Sequence, residues 1–388
     1  MLFRSQTYSL SFSEPWLGGK KPIQFSSSIS HSKQFLYSGR STSVDKDKSF
    51  NITSLSVGIA KRLTIPDDFF VFSSSVSFQY YDLNNYNTGL FKFGDGASRN
   101  LAYTLGLSRN NKGVNPIYPT SGSEFSVSAK FTIPYSLFNG INYGDLENQK
   151  EYKKVYVAGS GINTIPTSSG QQPAPGDYLH ETATDSGIYQ TVGSDYTLAT
   201  ADVSKVDQKR FNWLEYYKIK FKADWYTRLA GSQSKALVLR ALGEFGYLGA
   251  YNSGRGLVPF ERFFLGGDGL ANFSLDGREV IQLRGYPNQS LSSQDGATVY
   301  NKFSLELRYP LTLKAAASIY ALTFLEAGSS FNTFKEYNPF VLQRSAGFGL
   351  RVFMPAFGLL GIDFAHGFGG AQHAQPGYTG SLARQPAG

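Results

Sequence analysis

Cysteine is absent from the 388 residues, which excludes disulfides, thiolate metal sites and a thiol nucleophile. Also missing is any apolar run near the roughly 18 residues that a membrane-spanning helix requires, and mean hydropathy is only -0.25. A crossing of a membrane must therefore be made by strands. Histidine is scarce: His31, His180, His366 and His373 are scattered and form no His-x-x-x-His or Glu-x-x-His zinc spacing. The chain has no Gly-x-Ser-x-Gly elbow and no Gly-x-x-x-x-Gly-Lys phosphate loop, and Gly266-Gly267-Asp268-Gly269 lacks a strand-to-helix context. The expectation is a protein that is not an enzyme, with no catalytic residue, no metal, no cofactor and no nucleic-acid partner. No secretory leader is visible either: Met1-Leu2-Phe3-Arg4 has neither a charged n-region nor an apolar h-region, and a strand pattern begins by Thr7. This suggests a fragment of a longer exported chain.

What the chain has in quantity is alternation. Tyr8, Leu10 and Phe12 alternate with Ser9, Ser11 and Ser13; Phe125, Val127, Ala129, Phe131 and Ile133 alternate with Ser126, Ser128, Lys130 and Thr132. Phe303, Leu305, Leu307 and Tyr309 alternate with Lys302, Ser304, Glu306 and Arg308. Side chains of a strand point to opposite faces with period two, so each segment has one oily and one wet face. Lys218, Lys220 and Lys222 share one such face, opposite Tyr217, Ile219, Phe221 and Trp225. Aromatics at 15% and 41 glycines suit a barrel with aromatic girdles and curved strands. The net charge of +8 is expected on loops and in a wet lumen.

Twelve strands are predicted, roughly at 7–14, 22–31, 51–62, 69–81, 100–109, 124–133, 213–229, 236–249, 299–309, 316–328, 342–354 and 359–366. Short turns at Gly18-Gly19, Pro66-Asp67, Pro119–Gly122, Gly231-Ser232, Pro310 and Pro355 alternate with long connections at 32–50, 82–99, 134–212, 250–298 and 329–341. A sandwich would scatter its long loops between both ends. The predicted fold is all-β: a partial transmembrane antiparallel β-barrel over residues 1–366 with long extracellular loops. Residues 134–212, rich in Ser, Thr, Gly, Pro and Tyr, are expected to form an exposed loop or small cap. Residues 367–388 are expected to be a disordered or foreign tail.

One long connection differs from the rest. It reads Pro259-Phe260-Glu261-Arg262-Phe263-Phe264-Leu265-Gly266-Gly267 and then Gln282-Leu283-Arg284-Gly285-Tyr286-Pro287. With Tyr118–Gly122, Phe324-Leu325-Glu326-Ala327-Gly328, Gly347-Phe348-Gly349-Leu350 and Ile362-Asp363-Phe364, it resembles the barrel of the BamA-type outer-membrane protein insertases and their superfamily, which includes two-partner secretion transporters. The resemblance covers residues 7–368. It implies that the 250–298 loop folds into the lumen and that Arg284 of the Arg284-Gly285-Tyr286 motif pairs there with Glu306 and Glu326. Gly285 would allow a sharp turn or close approach, and Tyr286 would pack the loop on the wall.

The resemblance further implies a bacterial (Gram-negative) outer-membrane location. The expected role is insertion and folding of β-barrel proteins. The expected partners are unfolded outer-membrane β-barrel proteins, outer-membrane lipids and accessory assembly lipoproteins. A two-partner secretion transporter, which exports a polypeptide through the barrel, is the alternative. The family barrel has sixteen strands preceded by POTRA modules; this chain has about twelve and no POTRA module, its first strand resembling the family's fourth and its twelfth the fifteenth. Such a barrel would have two unpaired edges and would not insert clients alone. A charge swap, Arg284→Glu with Glu306→Arg, is the test that this reading suggests.

Overall fold

The computed structural model describes residues 5–19, 22–37, 44–88, 91–113, 115–160, 162–165, 173–182, 187–232, 235–270, 278–314 and 316–368. Twelve strands form one antiparallel sheet: β1 Ser5–Glu14, β2 Ile23–Tyr37, β3 Val44–Arg62, β4 Phe70–Asn84, β5 Gly96–Asn110, β6 Gly122–Thr132, β7 Tyr217–Ala230, β8 Leu237–Gly249, β9 Val299–Lys314, β10 Ala317–Phe331, β11 Gln343–Met354 and β12 Gly358–Phe368. Each pairs with its neighbour in the chain, so the order is a plain meander. Among the described residues the sheet does not close: β1 pairs only with β2, and β12 only with β11. No helix among the described residues is long and apolar enough to cross a membrane.

Burial is inverted relative to a water-soluble domain. On β9, Phe303, Leu305, Leu307 and Tyr309 are 38–48% exposed, while the intervening Ser304, Glu306 and Arg308 are 3–7% exposed. The register carries this facing around the wall, since Leu305 lies opposite Ala241 and Leu325, and Leu10 opposite Ile29 and then Leu55. Exposed aliphatic and aromatic side chains on one continuous face, with buried charges on the other, is the arrangement that hydrocarbon outside and a polar lumen inside require.

Several boundaries differ from the periodicity. β2 and β3 extend through Tyr37 and Val44, which reduces the first long connection to 38–43. The extension interleaves Lys33, Asp45, Lys46, Asp47 and Lys48 with its apolar residues, so no regular alternation marks it as strand. Pro310 does not end β9. It stays in register with Tyr320, and a bulge between Pro310 and Thr312 absorbs the irregularity before the strand runs on to Lys314. β12 reaches Phe368; the expected tail beyond it lies outside the described residues.

The turn before β6 is built into the barrel's short-turn end. Tyr118 is fully buried, with its hydroxyl 2.8 Å from the carbonyls of Ala236 and Arg308. Its ring packs edge-on against Tyr320. Gly122 (φ +94) closes this turn where a Cβ would sit 2.3 Å from the Asn111 carbonyl.

Residues 134–212 hold local structure of their own. Short strands Asn163–Ile165, Ile188–Gly193 and Tyr178–Glu181 form a three-stranded sheet, and helix α1 spans Val203–Arg210. The Asp202 carboxylate caps α1 by accepting from the amides of Ser204 and Lys205. Val206 packs on Tyr143 and Leu146. Asp207 accepts the Lys92 amide, which ties this cap to the β4–β5 connection.

Candidate functional site: a loop locked to the lumen wall

The described residues of the 250–298 connection fold against the inner face of the wall. Its two limbs meet as a short parallel pair, Phe263–Leu265 with Glu279–Ile281. Phe260, Phe263, Leu265 and Leu283 are 0–1% exposed and pack on Phe50, Tyr81, Tyr216 and Tyr300 of the wall. Each such side chain withdrawn from water contributes about 1.5–3 kcal/mol, so apolar packing holds the body of the loop. Polar contacts fix its tip.

Arg284 sits at that tip with its side chain 6% exposed. Its backbone N–H donates to Glu326 Oε2 at 2.8 Å. Its Nε and Nη2 donate to Glu326 Oε1 at 3.0 and 2.6 Å, and Nη2 also reaches Glu306 Oε1 at 2.7 Å. The guanidinium lies 3.5 Å from the centroid of the Phe324 ring, and Nη1 is 3.5 Å from Asp363 Oδ2. Burial opposes the charge, but Glu326 and Glu306 outweigh it and raise Arg284 above the ordinary arginine value. The structure thus brings Arg284 of the loop together with Glu306 of β9 and Glu326 of the adjacent β10.

Gly285 and Tyr286 carry the contact across to β11 and β12. Gly285 has φ +88, and a Cβ on it would stand 2.9–3.0 Å from the His366 and Gly367 backbone and 3.0 Å from Ser345 Cβ. Only glycine gives both that conformation and that approach. The Tyr286 hydroxyl donates to the Arg344 carbonyl at 2.8 Å. A Cβ on Gly367 would meet the Tyr286 ring at 2.7 Å, so the ring packs directly against that backbone.

Around the motif runs a charge network that alternation alone did not single out. Arg240 grips Asp224 through Nε and Nη2, both at 2.8 Å, and reaches Glu306 Oε2 at 3.2 Å. Arg308 donates its Nε to Glu306 at 2.9 Å. Arg351 makes a forked pair with Asp363 at 2.7 and 2.8 Å. Four arginines (240, 284, 308, 351) therefore face four carboxylates (224, 306, 326, 363) across β7 to β12. The signal was present in the sequence as charges at inward positions, but which inward charge meets which is a property of register. A cavity of about 290 Å³ opens beside the network, lined by Lys222, Arg240, Glu244, Asp268, Lys302 and others. The inward lysines are not uniformly solvated. Lys222 is half exposed, whereas Lys218 is buried at 5% and ion-paired.

The inner face of β1–β4 is chemically different. Along its middle the inward positions include Ser9, Ser11, Ser26, Ser28, Ser30, Ser54, Ser56, Ser75 and Ser77, whereas Phe50, Ile52, Tyr81 and Leu83, on the same face nearer the strand ends, pack with the loop. The lumen is thus split between a charged wall on β7–β12 that grips the loop's tip and a largely hydroxyl wall on β1–β4 whose aromatic end packs on the loop's body.

Comparison with known proteins places this architecture. No curated protein sequence matches the chain. Among solved structures, the chain is similar to BamA from Haemophilus ducreyi lacking POTRA domains 1-3, with a TM-score of 0.55 and 15% identity over 94% of this chain and 59% of that one. It is also similar to CdiB from Escherichia coli, with a TM-score of 0.42 and 11% identity over 94% of this chain and 53% of that one. The chain spans less than two thirds of either protein. The first likeness shows a shared barrel fold. The Omp85 superfamily domain matches residues 181–378, slightly more than half of the chain, and that span contains the lumen loop, its Arg-Gly-Tyr tip and the carboxylates that hold it. The chain belongs to the Omp85 superfamily.

Proposed function

We propose that this barrel belongs to a protein that inserts and folds β-barrel proteins in the outer membrane of Gram-negative bacteria. It works without covalent chemistry, cofactor or metal. Its partners in this reading are unfolded outer-membrane β-barrel proteins, the surrounding lipid and accessory assembly lipoproteins.

The observation that carries the reading is the uneven height of the lipid-facing belt. On β1 the outward apolar run is Tyr8, Leu10 and Phe12, bounded by Gln6 and Glu14; on β3 it is Leu55, Val57 and Ile59, bounded by Thr53 and Lys61. On β9 it is Phe303, Leu305, Leu307, Tyr309 and Leu311. At ~3.4 Å per residue and a tilt of ~40°, these runs span about 10 Å and about 21 Å. A belt this short on one side compresses and disorders the adjoining bilayer, which lowers the barrier to a client strand entering there.

The test uses vesicles that contain the full-length protein carrying this barrel and an unfolded outer-membrane β-barrel client. Folding of the client, read as its heat-modifiable gel shift, should be accelerated. Raising the belt with Gln6→Leu, Glu14→Leu and Lys61→Leu should reduce that acceleration. Equal client folding with and without the protein would overturn the proposal. Passage of an unfolded polypeptide into the vesicle interior, protected from added protease, would instead favour the two-partner secretion alternative.

A further inference from the structure

Lys218 on β7 is a buried cation shared by both limbs of the lumen loop. Its Nζ donates to the Glu261 carbonyl at 2.9 Å and to Glu261 Oε2 at 3.1 Å, and it pairs with Glu279 Oε2 at 2.6 Å. Three further groups complete the cluster. Lys130 of β6 pairs with the other oxygen of Glu261. The Tyr216 hydroxyl donates to that same oxygen at 3.1 Å. Lys220 holds Glu279 Oε1 at 2.9 Å. Glu261 is also one of three non-glycine residues with positive φ among the described residues, at +69. An acidic side chain in that conformation is strained and persists only where its surroundings over-determine it.

The two carboxylates stand where the limbs begin. Glu261 precedes the strand Phe263–Leu265 by two residues, and Glu279 opens the strand Glu279–Ile281, lying opposite Phe263 in register. A parallel pair of three residues each is too short to set its own register, and a slip of one residue would turn every side chain to the other face. Such a slip would also displace Arg284 by ~3.3 Å. That is larger than the 2.6–3.0 Å bonds that Arg284 makes to Glu326. The tip therefore reaches its carboxylates only when the base is held in one register.

We propose that Lys218, together with Glu261 and Glu279, is a positioning anchor that fixes the register of the two-limbed ribbon and so delivers Arg284 to Glu306 and Glu326. The loop is held at two ends: a lysine-centred base on β6 and β7, and an arginine-centred tip on β9 to β12. The base lies on the inner face of the wall and acts through the tip.

The absence of native cysteine makes the test direct. Asp268→Cys in the loop and Thr323→Cys on the outer face of β10 supply the only two thiols for spin labels, and the interlabel distance is measured in the full chain in lipid vesicles. The parent and the control Lys222→Met, whose lysine pairs with Glu244 of the wall and not with the loop, should give one narrow distance peak. Lys218→Met should lose that peak to a broad or displaced distribution, with a shift of about 3 Å or more. If Lys218→Met lowers thermal stability while the narrow peak stays in place, Lys218 is only a wall ion pair and the anchor is refuted. Should Lys218→Met fail to form a heat-modifiable barrel, Glu261→Gln decides: it keeps the shape and removes the charge, and an unmoved peak there also refutes the anchor. The readout is loop placement rather than client assembly, so its failure is distinguishable from failure of the proposed function.

Discussion

Arg284→Ala should loosen the tip of the lumen loop by a calculable amount. The substitution removes three side-chain hydrogen bonds to two buried carboxylates. Glu306 keeps Arg240 and Arg308. Glu326 keeps the backbone N–H of residue 284 at 2.8 Å on Oε2, but its Oε1 is left with Lys302 at 4.0 Å and the Ser304 hydroxyl at 3.3 Å, both poor substitutes for the guanidinium. Removing one partner of a buried ion pair costs about 3–5 kcal/mol, because the other charge stays buried. At ~1.36 kcal/mol per factor of ten, the open population of the tip should rise by two to nearly four powers of ten. The apolar body around Phe263, Leu265 and Leu283 still holds, so the loop opens locally and is not expelled. Ser290 offers a silent probe, since its hydroxyl is buried without a hydrogen-bond partner and Ser290→Cys sacrifices nothing. The alkylation rate of that thiol reports the open fraction. It should rise by the stated factor in Arg284→Ala and by less in Arg284→Lys, which keeps the charge but loses the fork. A change under about twofold, the ordinary 0.3–0.5 kcal/mol scatter between variants, would refute the view that this arginine locks the tip.

Four other outcomes follow from the same geometry. Gly285→Ala should accelerate the same alkylation, because a Cβ at φ +88 would collide with the backbone of His366 and Gly367. Reversal of Arg284 should be rescued better by Glu326→Arg than by Glu306→Arg, since a cation at 306 would face Arg240 and Arg308; client assembly in the full-length protein reads this. Burial opposes ionisation of Glu261, but Lys130 and Lys218 outweigh it and hold the carboxyl at about 2 instead of 4.5. A lowered carboxylate stabilises the fold above its unfolded value and ceases to do so as pH falls through its folded value. Near-UV circular dichroism of the loop's aromatic cluster should therefore be flat above about 4.5 and decay towards about 2. Leu305→Lys puts a cation in the lipid belt and should cost about 2–4 kcal/mol of folding free energy in vesicles, whereas Ser28→Lys on the luminal hydroxyl wall should cost little; equal costs in denaturant titrations would refute the assignment of faces.

Alternation was a sufficient guide to the wall because a strand with lipid on one face and water on the other has no freedom in its side-chain pattern. It failed where that contrast vanishes. The Ser- and Lys-rich ends of β2 and β3 rise beyond the belt, and the Pro310 bulge keeps a strand going through a residue that usually stops one. Arg284, Glu306 and Glu326 could be named from the family resemblance, with inward phase agreeing for Glu306. The partners Arg240, Asp224, Arg308 and Arg351 could not, because inward phase says that a side chain enters the lumen and not which strand end or loop it meets there. Lys218 shows the same limit: phase turns it inward, but only the folded loop makes it a buried ion-paired lysine.

By itself the order of residues determined the strands, the division of each into an oily and a polar edge, and the presence of the Arg284-Gly285-Tyr286 motif in a long connection. These are local consequences of a two-residue repeat and of backbone groups that hydrocarbon cannot solvate. The tertiary structure alone decided which side chains grip the lumen loop at its two ends, and the partition of the interior into a charged wall and a largely hydroxyl one. Those depend on register and on contacts between residues tens of positions apart, which no local pattern encodes.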